Sequence, residues 1–220
     1  MEQSCDYIAM ALTGGYPEVT ALQTDRNRRL WLGSYVDQLV TRDASLIGSH
    51  RDPRRLRGYL QALAANSAGR AEHKTLYDAA GITRNTALTY DELLELMMIT
   101  EQVPAWSTNQ LSRLGRSPKR YLTDPSLLAA LLQLDGRGAL RDGDLLGRQI
   151  DTFVLAQLRA ELTVSNMSAT LSHLRLDDGR RIMELESRLI APGLNQVARF
   201  IRRENVESPT PKHLRLSRPP

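Results

Sequence analysis

The chain has 220 residues, 41% of them hydrophobic, with 29 Lys and Arg against 25 Asp and Glu and a single cysteine. That length and apolar content suffice for a buried core in one or two domains. The lone Cys5 excludes an intrachain disulfide, a cysteine-built zinc cluster and a CxxC redox pair.

The start, MEQSCDYIAM, has neither a basic opening nor an apolar core, and the longest apolar runs, such as Leu127 to Leu132, are too short to span a bilayer. A cytoplasmic protein without export signal or membrane anchor is therefore expected. GGYPE at 14 to 18 is a turn that cannot continue a helix. Residues 25 to 47 then place Leu32, Tyr35, Val36, Leu39 and Val40 at helical spacing, opposite Arg26, Arg28, Asp37 and Arg42. One long amphipathic helix is predicted there, and residues 1 to 50 are assigned to a linker plus this helix.

The next segment, residues 51 to 123, has the pattern of a winged helix-turn-helix. Asp52 is placed to cap a first helix with Pro53 at its first position and Leu56, Tyr59, Leu60 and Leu63 inward. Lys74 to Ala80 make a second helix ended by Gly81, whose freedom at positive φ suits a sharp turn. Thr83 caps a third, with Ala87, Tyr90, Leu93, Leu94 and Met97 inward. ITEQVPAW reads as an edge strand because of Pro104. RYLTD is its expected partner, making the hairpin a wing.

Beyond Asp124 the chain turns helical again. DPSLLAALLQL starts with a capping Asp and a Pro and breaks at Asp135-Gly-Arg-Gly. A further helix spans about Asp142 to Leu162, with Leu145, Leu146, Ile150, Phe153, Val154 and Leu158 inward. A hairpin is signalled around Asp178-Gly179. Residues 191 to 220 read as a loose tail, since the Pro-, Ser- and Arg-rich end has too few apolar residues to repay ordering. Residues 51 to 120 and 173 to 220 each carry a basic surplus of four, and the rest of the chain is slightly acidic.

Six blocks stand in order: GGYPE, WLGSYVDQLVTRD at 31 to 43, TLYDAAGITRNTALTYDELLE at 75 to 95, VPAW at 103 to 106, KRYLTDPSL at 119 to 127 and GDLLGRQIDTFV at 143 to 154. As a set they resemble the C-terminal half of a prokaryotic family of AAA-type ATPases, the region called domain of unknown function 4143. The resemblance covers about residues 7 to 165. It implies an ATPase core in front, here without its G-x-x-x-x-G-K-[ST] loop, so that no ATP binding and no cofactor are expected. It also implies that residues 124 to 190 are a truncated region similar to PD-(D/E)XK nucleases. There Asp151 stands where the family has Glu. His173, Arg175, Gly179 and Arg180 match an H-x-R-x-x-x-G-R stretch, Glu184 is a candidate metal ligand, and the Glu-x-Lys that would complete the set is missing.

The resulting expectation is a mainly α (α+β) protein: a winged helix-turn-helix with a small β-hairpin, followed by a helical nuclease-like remainder. Arg84, Asn85 and Thr89 are the third-helix residues placed to read bases, while Asp91, Glu92 and Glu95 on the same helix would repel phosphates. Arg113, Arg116, Lys119 and Arg120 form a wing cluster suited to backbone contacts, or else a solvated loop. Trp31 and Trp106 are assigned to core packing rather than base stacking. His50, His73, His173 and His213 lack metal-ligand spacing and receive no chemistry. Asp151 and Glu184 are treated as remnants of a metal site, with no catalytic residue and no working metal. The expected activity is non-catalytic binding by a fragment of an ATPase-family protein: weak contact with DNA, with an ATPase or with another protein. The alternatives are a metal-dependent nuclease that needs a partner, and a decayed gene product without function.

Overall fold

A computed structural model describes residues 2–43, 52–69, 71–105, 117–134, 141–164, 170–175 and 181–186. The described residues are mainly helical, with two small two-stranded sheets. The elements are α1 (Glu2–Thr13), α2 (Pro17–Ala21), α3 (Asp25–Gln38), α4 (Pro53–Ala65), α5 (His73–Ala79), α6 (Arg84–Leu96), β1 (Thr100–Val103), β2 (Lys119–Leu122), α7 (Pro125–Leu131), α8 (Gly143–Val164), β3 (Thr170–Arg175) and β4 (Arg181–Glu186). Among the described residues no helix is long and apolar enough to cross a membrane.

Two compact units divide the chain, Met1–Glu101 with Arg120–Phe153, and Gln102–Lys119 with Val154–Pro220. Helix α3 packs on α7 as α1 and α4 do. Every residue of α7 except Ala130 is buried, and Leu127, Leu128 and Leu131 join Leu32, Val36, Leu56, Leu60 and Leu94 in one apolar core. Burial of this kind is worth roughly 1.5–3 kcal/mol per large side chain, so the short helix is held by its neighbours rather than by its own propensity.

Local signals set several ends as anticipated. Asp52 accepts from the Arg54 N–H, Thr83 from Thr86 and Asp124 from Ser126, each a side-chain cap that satisfies an otherwise orphan donor. Gly81 turns the chain at φ +63°. The helix predicted over 25 to 47 is shorter: it ends at Gln38 and widens into a π-helical turn, Leu39–Asp43, that keeps Leu39 and Val40 buried. Helix α1 was not anticipated at all.

The GGYPE turn has a long-range purpose. Gly14 sits at φ +73°, and a Cβ there would come within 2.1 Å of Asp124 Oδ1. The next residue, Gly15, donates its N–H to Asp124 Oδ2 at 2.8 Å. One carboxylate thus caps α7 and fastens the α1–α2 turn. Gln149 of α8, fully buried, donates to the carbonyls of Ala11 (2.7 Å) and Pro125 (2.9 Å), tying α8 to both α1 and α7.

Trp31 is half-buried against the core: its ring stacks on Tyr35 (centroids 5.3 Å apart, 10° between planes), with Tyr16 tilted against both. Burial, together with Tyr35, raises the pKa of the Tyr16 phenol. Trp106, His50, His213, the Asp135 and Asp178 turns and the tail lie outside the described residues. The predicted strands at 100 and 119 pair in a two-stranded sheet.

In the second unit, β3 and β4 pair antiparallel from Thr170↔Glu186 to Arg175↔Arg181. His173 donates its N–H to the Pro104 carbonyl at 2.9 Å, extending the pairing to Ala105. Val154, Leu155, Leu158 and Leu171 are buried there.

Candidate functional site

Helices α4, α5 and α6 enclose a polar cluster that the sequence reading did not assign. Tyr59, from the inward stripe of α4, is fully buried and donates its hydroxyl to Asp91 Oδ1 at 2.7 Å. His73 opens α5. Its Nε2 lies 2.9 Å from the Tyr59 hydroxyl and 3.0 Å from Asp91 Oδ2. Because the tyrosine proton goes to Asp91, the neutral imidazole must carry its proton on Nε2 to serve both oxygens. Arg120, on β2, brings a guanidinium nitrogen 3.6 Å from Asp91 Oδ2.

Electrostatics follow from this packing. Burial lowers the His73 pKa, the charges of Arg120 and Arg84 lower it further, and Asp91 opposes them. Burial and the bond to Asp91 raise that of Tyr59. Both groups are therefore neutral near pH 7 and act as hydrogen-bonding struts between helices.

The expected contact residues separate into two sets. Arg84, Asn85 and Thr89 are exposed together on the first turns of α6, with the Thr89 hydroxyl donating back to the Asn85 carbonyl at 3.0 Å. Lys119 and Arg120 are not on an open wing: Lys119 is 9% exposed and Arg120 is turned onto Asp91, so neither is free to neutralise a phosphate. Arg113 and Arg116 lie outside the described residues. Asp91 needs the same correction, for it is buried and faces Arg120 rather than solvent. Of the three carboxylates on that half of the helix, only those of Glu92 and Glu95 are exposed. Asp151 lies half-buried on α8, and Glu184 stands opposite Ser172 in the β3–β4 register. No group of three or more potential metal ligands occurs among the described residues.

A signal for Asp91 was present. Ala87, Tyr90, Asp91 and Leu94 are spaced i, i+3, i+4 and i+7, so the inward stripe contains the aspartate. The outer stripe of α6 carries Asn85, Leu88, Thr89, Glu92 and Leu96. Leu88, Leu96 and the adjoining Met98 are 42%, 67% and 78% exposed.

Residues 5–138 match the family described as domain of unknown function DUF8612. The chain belongs to this family. That assignment overturns the resemblance to domain of unknown function 4143 and the AAA-type ATPases: the first five quoted blocks all lie within the DUF8612 match, and GDLLGRQIDTFV follows it. Uncharacterized proteins of Mycobacterium bovis and Mycobacterium tuberculosis are each 29% identical over 151 residues, covering 69% of this chain and 34% of their own length. The chain thus spans about a third of the curated relatives it matches. No solved structure matches it.

Proposed function

We propose that this DUF8612 chain is a non-catalytic binding module that meets a protein partner through the outer face of α6. The observation that carries this reading is the composition of that face: Leu88, Leu96 and Met98 are exposed and interleaved with Glu92 and Glu95. Exposed apolar anchors among acidic side chains suit an apolar protein patch flanked by basic residues, whereas the carboxylates repel a phosphate backbone. The titratable cluster behind the helix supports a binding role over a catalytic one, because its groups are spent on each other.

A second reading, weak and sequence-indifferent DNA contact by a winged helix-turn-helix, draws support from Arg84 and Asn85 at the exposed, Thr83-capped start of α6 and from the two-stranded sheet. Two measurements separate them. In the first, a photo-crosslinking residue replaces Leu88 or Leu96 in cells. A discrete polypeptide adduct, identified by mass spectrometry and lost with Glu92→Lys, supports the protein reading; equal adducts from exposed Arg54 on α4 would overturn it. The second is fluorescence anisotropy on several duplexes across a salt series. The protein reading expects little binding even at low salt, and a duplex preferred roughly a thousandfold, with the preference lost in Arg84→Ala, would establish base reading instead.

A further inference from the structure

Helix α3 carries a second surface, independent of α6. Leu22, Asn27, Leu30, Trp31, Ser34, Tyr35 and Gln38 line an open groove of about 480 Å³. Asp25, Arg26, Arg28, Arg29 and Asp37 make α3 a highly charged helix, yet none of them lines the groove. The stacked rings of Trp31 and Tyr35 belong to it, Leu30 stands 60% exposed, and Asn27, Ser34 and Gln38 add amides and a hydroxyl.

Each feature selects among occupants. A nucleic-acid strand needs cationic side chains beside stacking rings, and the described residues that line this groove include none. A charged peptide would lose hydration without a counter-charge among the described lining residues. An uncharged, proline-rich segment fits both properties: its rings stack on aromatic side chains, and its carbonyls, unpaired within a polyproline helix, accept from amide and hydroxyl donors. The scale also agrees. Asn27 to Gln38 spans eleven helical steps, about 16 Å at 1.5 Å per residue, or about five residues of a polyproline helix at 3.1 Å each. We infer that the Trp31–Tyr35 groove is a docking site for an uncharged, proline-rich peptide segment in extended conformation.

The test is a titration of the isotope-labelled full chain, followed by amide chemical shifts, with a blocked peptide of about ten alternating Pro and Leu residues and, in parallel, a Gly-Ser peptide of equal length. The Pro-Leu peptide should produce saturable shifts centred on Asn27, Leu30, Trp31, Ser34 and Gln38, and the Gly-Ser peptide should not. Leu30→Glu, at an exposed position and with its fold verified by circular dichroism, should weaken the interaction about tenfold or more. Absence of saturable shifts, equal shifts with the Gly-Ser peptide, or indifference to Leu30→Glu would overturn the assignment. So would displacement of the same amides on simple dilution, since that would make a second copy of the chain the occupant.

Discussion

Asp91 and Glu92 are adjacent on α6 and carry the same charge, yet they have opposite fates. Asp91 is buried, bonded to Tyr59 and His73 and facing Arg120, and Glu92 is exposed between Leu88 and Leu96. One step along an α-helix rotates the side chain by about 100°, enough to cross from the core face to solvent. The inner face is a network in which each polar group depends on another. The outer face instead presents Leu88, Glu92 and Leu96 to solvent, where a substitution removes no buried partner. A net charge summed over the helix hides that difference.

The largest test removes the shared acceptor. Asp91→Ala strands the Arg120 guanidinium and the Tyr59 hydroxyl in a buried site and should cost about 3 kcal/mol in urea unfolding. A loss under about 1 kcal/mol would mean that water replaces the carboxylate and that the two faces differ less than the burial implies. Next comes the cap that both faces share. Thr83→Ala leaves the Thr86 N–H without its acceptor and should cost about 1 kcal/mol, whereas Thr83→Asn should recover most of it.

The pH dependence has a definite sign. The folded-state pKa of His73 is lowered below the ordinary value of 6.5, so between the two values the unfolded chain binds more protons. Stability contributed by the neutral imidazole is fully present above pH 6.5 and is lost as the pH falls through the folded value. Thermal midpoints should accordingly decline on acidification from pH 6.5 toward the folded value, and His73→Gln should flatten this part of the profile. An unchanged profile would show that His73 is not the group responsible. The smallest effects belong to the outer face. Glu92→Ala and Leu96→Ser should each shift stability by no more than about 0.5 kcal/mol while reducing the crosslinked adduct; a larger stability change would show that the outer face also holds the fold.

The two-unit division sharpens the same lesson at larger scale. The first unit was largely legible because its helices announce themselves through caps and stripes, as Asp52 with Leu56 and Leu60, Thr83 with Leu94, and Asp124 with Leu127 and Leu128 show. Helix α1 was missed because its sequence, EQSCDYIAMALT, has no capping residue ahead of it and only a loose apolar stripe, and its place depends on packing against α7. The family blocks were legible as a set, but their membership was misread, since shared short motifs do not by themselves separate one helical family from another.

What the sequence by itself determined was local: where helices start, where Gly81 turns the chain, which apolar side chains point inward, and that the residues around 100 and 119 pair. Apart from that pairing, which Pro104 marks as an edge, these depend on spacings of two to four residues that any reader of the chain can count. Only the tertiary structure decided the fate of the charged groups. Arg120 left the supposed wing for Asp91, Lys119 became buried, and Asp124 took the Gly15 N–H across 109 residues. The physical reason is that a buried charge or an orphan amide must find a partner wherever the fold brings one within reach, and sequence separation imposes no limit on that search.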